Sequence, residues 1–309
     1  MKQAAAADIS ISALEKELGI GKDTLRVWER RYGFPQPTRD ARGERRYPAE
    51  QVDRLRVMRR LLDRGMRPHQ VIGLPAEALQ AYSDAPVKSA MQAPPMHAEL
   101  YGLLRSHDAL ALQRALRTIL VREGLERFVL DTAGILVEAV GDWWAAGTLE
   151  VFEEHLFTEQ LGRVLREAVS QVPARNARPH VLLTTLPDEP HALGLLLAEA
   201  VMRLEGARCT SLGVQTPEGQ ILAAVRAGGM DIVALSFSSY FGLPQMREAV
   251  TRLRAALPAR VGLWCGGAAA ERLKKTPIGV QRISRLAAIG PNLAQWREAL
   301  RESSGSRGK

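Results

Sequence analysis

The sequence predicts a multidomain chain. An all-α winged helix-turn-helix comes first, a four-helix bundle follows, and an α/β domain with a parallel sheet closes the chain. Three observations predict this order. Two short helical patterns on a Gly-containing turn precede an Arg-rich, Pro-broken hairpin before residue 48. Leucines then recur at helical spacings between residues 98 and 172. Beyond residue 178, four short apolar runs alternate with helical stretches, the mark of βαβ units. The expected boundaries are 1–76 for the winged domain, 77–97 for a linker, 98–174 for the bundle, 175–301 for the sheet domain and 302–309 for a disordered tail.

Composition narrows the function. The chain has 309 residues, 46% apolar and 25% charged, which is ordinary for a soluble globular protein. No run approaches the ~20 apolar residues needed to span a bilayer. The amino terminus lacks the apolar core of a signal peptide, so the cytoplasm is the expected compartment and no membrane is an expected partner. Only Cys209 and Cys265 are present, each in an apolar run, and both read as buried small hydrophobes. Net charge is +8, and residues 1–75 alone hold 16 Lys and Arg against 10 Asp and Glu. A basic surplus gathered at one end points to nucleic acid.

In the first domain, Ser12-Ala13-Leu14-Glu15 reads as a capping box opening a helix, and Gly19 as its end. Asp23 to Arg31 makes the second helix. Leu25 and Trp28 fall on its inner face, whereas Lys22, Arg26 and Arg30 recur every four residues. Arginines on a second helix suit phosphate and guanine contacts in a major groove of double-stranded operator DNA. Pro35 and Pro37 forbid a helix in the next stretch, and Gly43 allows a hairpin tip. The stretch reads as a wing carrying Arg39, Arg42, Arg45, Arg46 and Tyr47 for phosphate clamping. A helix from Glu50 to Arg64, closed by Gly65, completes the domain.

Thr24-Leu25-Arg26, Trp28-Glu29-Arg30-Arg31-Tyr32-Gly33, Pro35, Pro37, Arg39, Gly43 and Arg45-Arg46-Tyr47 together resemble the DNA-binding domain of the MerR family over residues 8 to 75. The resemblance implies Arg26 on the recognition helix and Arg39, Arg45, Arg46 and Tyr47 on the wing. Metal- and thiol-sensing relatives carry cysteines after this domain. This chain has none there, so no metal or redox effector is expected.

Residues 76 to 97 mix Ala, Pro, Ser and Gln with little periodicity and read as the linker. In the bundle, leucines from Leu100 to Leu120 give way to helical runs over 128–144 and 151–169.

The sheet domain opens with the run Val181 to Leu186, then Pro187-Asp188-Glu189-Pro190-His191-Ala192-Leu193-Gly194, then a helix over 195–204. His191 therefore leaves the carboxyl end of a strand, where open α/β sheets bind ligands. Its imidazole could hold a metal through one ring nitrogen while Glu189 takes the proton of the other. Gly194 would let a bulky ligand approach the backbone. Further strands are expected at 209–214, at 231–238 with serines at its exit, and at 261–267, ending in Gly266-Gly267.

This order resembles the Rossmann-like, flavodoxin-like cobalamin-binding domain of methionine synthase and the mutases over about residues 178 to 300. The resemblance implies cobalamin as cofactor and His191 as lower axial ligand to cobalt. It also implies that Ser236, Ser238, Gly266 and Gly267 line the slot for the displaced nucleotide tail. Inside the bundle, Trp144 stands ten residues before Glu154-His155. With its neighbours, that spacing resembles the CarH/LitR family of adenosylcobalamin-dependent, light-sensing repressors. The resemblance implies that Trp144 lies over the adenosyl group, that Glu154 and His155 border it, and that self-association to a dimer or tetramer follows the ligand. One position departs. Light sensors of this type have a histidine after the motif tryptophan, which takes the upper face of cobalt after light. Here that residue is Ala145, which has no donor atom.

A regulator whose sensor domain binds haem, or only a protein partner, is an alternative reading. A cobalamin-dependent methyltransferase or mutase is another. No stretch is long enough for the barrel that carries the substrate of such enzymes, so the expectation is not an enzyme.

Overall fold

The computed structural model describes residues 8–63, 71–72, 74, 95–145, 148–173, 178–238, 241–273 and 275–305. The chain forms two compact units, Met1–Leu112 with Ile135–Phe157, and Gln113–Gly134 with Thr158–Lys309. Most of the expected linker, Gly65 and residues 306–309 lie outside the described residues.

In the winged domain, β1 (Ile9–Ser10) leads into α1 (Ile11–Leu18) and α2 (Lys22–Tyr32). The hairpin β2 (Thr38–Arg39) and β3 (Arg45–Tyr47) precedes α3 (Ala49–Asp63). The three strands form an antiparallel sheet in the order β1-β3-β2. The N-cap of α1 is Ser10, two residues before the expected Ser12. Pairing of Ile9 with Tyr47 and Ser10 with Arg46 holds Ser10 extended, and its hydroxyl accepts from the Ala13 amide at 3.2 Å. Glu15 is thereby released for a different task. Its carboxylate accepts from the Lys22 amide at 3.0 Å, capping α2 rather than α1. Gly19 and Gly33 end α1 and α2 in the left-handed conformation, at φ 63 and 67. Leu14, Leu18, Leu25, Tyr47, Leu55 and Met58 are fully buried, each aliphatic side chain contributing about 1.5–3 kcal/mol by leaving water.

The helical stretches expected after the linker are present at Pro95–Arg105, Ala109–Glu123, Gly134–Ala145 and Val151–Ser170. The third is entered through a three-residue helical turn, Leu125–Arg127, and a π-helical segment, Phe128–Ala133. Within the first unit, Trp143 is buried against Tyr101, edge to face at 5.1 Å.

The sheet domain has five parallel strands, β4 (His180–Thr184), β5 (Arg208–Ser211), β6 (Ile232–Ser236), β7 (Gly262–Gly266) and β8 (Val280–Ile283). Their order is β5-β4-β6-β7-β8. The apolar runs became β4, β6 and β7, which are central and nearly wholly buried. The expected strand at 209–214 is shorter, because β5 is an edge strand and Gly213 turns the chain at φ 77. Strand β8 was not foreseen. It is the other edge, four residues long and half-exposed, and so carries no apolar run. Ile221, Val225, Met246 and Leu253, from the helices Glu218–Gly228 and Leu243–Ala256, cover one face. Helices Leu193–Leu204 and Ile289–Gly305 pack together. The last helix runs through residues 302–305, where a disordered tail was expected.

Cys265 is buried, as expected, and Cys209 is partly so. Burial pushes the Cys209 thiol up to about 12 and the Cys265 thiol higher still, so neither is a ready thiolate. Among the described residues, no helix is long and apolar enough to cross a membrane.

Candidate functional site

The strand order changes direction between β4 and β6, and ligands of open parallel sheets bind at such a switch point. Glu189, from the loop after β4, is 1% exposed. Its Oε1 accepts from His191 Nδ1 at 2.6 Å and from the His191 amide at 3.2 Å. Its Oε2 accepts from the Ser238 amide at 2.7 Å and the Ser238 hydroxyl at 2.9 Å. One carboxylate thus joins the loops on both sides of the switch point. Burial pushes its pKa up, but the hydrogen bonds from His191 and Ser238 outweigh burial and hold it below the ordinary carboxylate value.

The same bond fixes the histidine. Nδ1 carries the proton that Glu189 accepts, so a metal ligated by this ring would be held through Nε2. The ring stays half-exposed while its partner is buried. That donor set fits a cobalt corrinoid: an imidazole with a carboxylate hydrogen-bond acceptor behind it. Ser238, expected to line a slot, also donates from its amide and hydroxyl to the Glu189 carboxylate.

Gly194 differs from expectation in its immediate cause. A Cβ there would stand 2.8 Å from the Ser236 hydroxyl, so the missing side chain first makes room for Ser236. Ser236 in turn pairs with Gly266 across β6 and β7. Gly267 has φ +91, and a Cβ on it would fall 2.3 Å from the Phe237 carbonyl oxygen. The Gly266-Gly267 corner is therefore bare main chain set against the exit of β6.

In the first unit, Trp144 is buried near the end of its helix. Glu154 and His155 lie in the first turn and a half of the next helix, and His155 Nδ1 meets Glu154 Oε2 at 2.6 Å. The sequence reading missed the residue before them. Glu153 is fully buried, and both its oxygens accept from Arg105 Nη1 at 2.9 Å. It also meets His107 Nε2 at 2.9 Å and accepts from the Glu150 amide at 2.7 Å. Burial pushes the Glu153 carboxyl up, yet the Glu150 amide, His107 and Arg105 bring it below the ordinary value. The only advance signal was the i to i+3 spacing of Glu150 and Glu153 at a helix start.

On the winged domain, Leu25 and Trp28 are buried and Arg26 and Arg30 exposed, as expected. Lys22 pairs with Glu15 at 3.3 Å and Arg26 with Asp23 at 3.0 Å. On the wing, Arg39 donates to the Gly43 carbonyl at 2.9 Å, and Arg46 pairs with Asp40 at 3.0 Å. Arg45 is tied to Glu29 of α2 at 2.9 Å, which raises its pKa. Among the described residues, Arg30 and Arg42 side chains make no ion pair. Tyr47 corrects the expectation of a surface contact. It is 0% exposed, and burial raises its pKa, because the β1–β3 register turns its ring into the core.

Together these features define a class: a DNA-binding regulator with a corrinoid-binding sensor domain. Residues 9–78 match the MerR HTH family regulatory protein model, and residues 179–283 match the B12 binding domain model. The chain is 31% identical over 82% of its length to the HTH-type transcriptional repressor CarH of Myxococcus xanthus, covering 86% of that protein. It is 28% identical over 74% of its length to the repressor CarA of the same organism, covering 76% of it. In fold it is similar to the monomethylamine corrinoid protein of Methanosarcina barkeri, with TM-score 0.50, 14% identity, and coverage of 62% of this chain and 94% of that one. The chain belongs to the CarH/CarA family of HTH-type transcriptional repressors, and its cofactor is a cobalamin.

Proposed function

We propose that this protein represses transcription from an operator it binds as a self-associated form, and that adenosylcobalamin controls the association. The observation that carries the reading is the Glu189–His191–Ser238 arrangement at the switch point, in a chain that also carries a MerR winged domain. His191 would ligate cobalt, with Glu189 and Ser238 holding its ring. Ser236, Ser238, Gly266 and Gly267 would line the slot for the nucleotide tail, and Gly194 would let the ligand approach the backbone. Trp144, Glu154 and His155 are assigned to the adenosyl group, an assignment that rests on the Trp-x9-Glu-His spacing. When bound, the cofactor supplies a cobalt–carbon bond that visible light breaks.

The domain boundaries proposed are 1–76, 77–97, 98–174 and 175–301. On the first, Lys22, Arg26 and Arg30 would face the major groove and Arg39, Arg42, Arg45 and Arg46 the flanking phosphates. Self-association to a dimer or tetramer would present several recognition helices to spaced half-sites and raise affinity by avidity. A double-stranded DNA partner places this action in the cytoplasm. The test uses duplexes selected from a random pool by the dark, cofactor-loaded protein. Gel shift and size-exclusion chromatography then compare apo, loaded and illuminated samples. Loaded protein should be larger and bind more tightly. Equal size and equal affinity in apo and loaded samples would overturn the reading.

A further inference from the structure

The loop that carries His191 is held from a second side, away from the switch point. Thr185, fully buried just past β4, donates its hydroxyl proton to the Glu189 carbonyl oxygen at 2.6 Å. The Thr185 hydroxyl oxygen in turn accepts from the Gln215 amide at 2.8 Å. Thr185 also accepts, through its carbonyl, from the Thr216 amide at 2.9 Å. Next to it, the Thr184 hydroxyl meets the Gly213 carbonyl at 2.9 Å and the Thr216 hydroxyl at 2.7 Å. Two adjacent buried threonines thus stitch the β5 exit loop to the His191 loop.

Both loops need such a restraint. Asp188 has φ 69 and Gln215 has φ 57, a left-handed conformation that non-glycine residues keep only where their surroundings over-determine it. Each lies beside a Thr185 contact: Asp188 directly precedes Glu189, and Gln215 is itself the donor. The Glu189 side chain is aligned by Ser238 and its main chain by Thr185. A carboxylate can set the plane of an imidazole only if its own Cα is fixed: the Glu189 amide donates to the Leu186 carbonyl at 3.2 Å on one side of that Cα, and Thr185 holds the Glu189 carbonyl on the other.

We propose that Thr185 is a positioning residue for cobalamin binding, acting through the Glu189 main chain to hold the His191 ring in its ligating orientation. The proposal rests on His191 being the cobalt ligand. No proton or electron moves in this role. The hydroxyl serves as a two-way connector, donor to one loop and acceptor from the other, and valine, with the same shape, can do neither.

The test uses the full chain with Thr185→Val and Thr185→Ser, and hydroxocobalamin as probe. The valine chain should bind about tenfold more weakly, the lower end of what outer partners of a metal-bound histidine contribute. Its histidine-ligated absorbance signature should also be reduced. The serine chain should stay within about twofold of the parent on both readouts. In the ligand-free protein, nitrogen-15 shifts should show the fixed His191 tautomer in parent and serine chains and a mixture in the valine chain. Parent-like affinity and tautomer in the valine chain would overturn the proposal, as would equal loss in both variants. If the valine chain does not fold, hydrogen exchange on the parent decides. A Gln215 amide exchanging as fast as an open loop amide would overturn it. Failure of the ligand assignment itself is told apart by His191→Ala, which would then leave the spectrum unchanged while the ligand-free tautomer readout still reports on Thr185.

Discussion

Arg45 on the wing and Glu29 on the recognition helix form a two-point ion pair, at 2.9 and 3.4 Å. The pair ties the wing to α2 and partly neutralises the Arg45 charge. Arg42, at the hairpin tip, has no such partner among the described residues. Log affinity for DNA should fall linearly with log salt, as counterions are released. Arg42→Ala should flatten that slope by about one, and Arg45→Ala by less. Equal slope changes in the two variants would contradict the role given to Glu29.

Base readout is a separate expectation. Arg26→Ala should lose discrimination between operator and random duplex by about 1–3 kcal/mol, whereas Arg42→Ala should weaken both alike. Competition gel shifts at fixed salt measure this. An Arg26→Ala chain with full specificity would move the reading head elsewhere, with exposed Arg30 next to be tested.

At the switch point, His191→Ala should remove the histidine-ligated cobalamin spectrum. Glu189→Gln should weaken binding about 10- to 100-fold, because the amide keeps one acceptor oxygen where the carboxylate has two, so either His191 or Ser238 then faces an NH2 group. Titration with hydroxocobalamin followed by absorbance tests both. Unchanged affinity in Glu189→Gln would mean that the buried carboxylate has another purpose.

Much of this was legible in the sequence. His180 to Thr184 and Ile232 to Ser236 are central parallel strands, and such strands must be apolar on both faces. Glu189 and His191 share one loop, so their pairing could be read from adjacent letters. Ser238 could be placed near them, but its hydrogen bond to Glu189 depends on strand order, which no local pattern encodes. Arg105 and Glu153 are 48 residues apart, and each alone looks like a solvated helix-end charge. Ser12-Glu15 satisfied a capping rule that Ser10 won because β1 pairing fixed its backbone. Edge strand β8, without an apolar run, left nothing to find.

Glu153 leads to a stability prediction. Its substitution by alanine removes a helix cap and the partner of Arg105 and His107. Arg105 is half-exposed and can rehydrate, so the cost should be about 2 kcal/mol rather than that of a stranded buried charge. Urea unfolding followed by tryptophan fluorescence reads this through Trp143 and Trp144. A midpoint equal to that of the parent would show that the cluster is idle.

Acid should destabilise the sheet domain in two windows. Burial, then Arg208, pushes His180 below 6.5, so the folded state prefers the neutral ring. As pH falls below 6.5 the unfolded chain takes the proton first, and stability declines until the folded ring titrates. Asp231 is buried, but Arg178 and the His180 amide pull its pKa below 3.8. Its contribution is complete above 3.8 and is lost as pH falls through the lower folded value. Urea midpoints at several pH values should show both steps. Asp231→Asn should erase only the lower one, and an unchanged acid limb in that variant would exclude Asp231 as its source.

Light should still break the cobalt–carbon bond of bound adenosylcobalamin, but Ala145 offers no donor to retain the corrinoid. After illumination and acid denaturation, corrinoid should separate from the chain. Ala145→His should keep more of it attached. Corrinoid retained by the parent, and lost in His155→Ala, would give that task to His155.

At the Gly266-Gly267 corner the chain is bare main chain; a carbonyl lies 2.3 Å from where a side chain on Gly267 would begin, whereas the nearest atom to a Cβ on Gly266 would be 3.5 Å away. Gly267 thus leaves no room for a side chain, so point mutation there cannot retune the corner. Inherited variation can reshape its borders at Ser236 or Ser238, whereas the gap itself follows the spacing of β6 and β7. Descendants of this sequence can thus vary the borders of that corner far more freely than Gly267 itself.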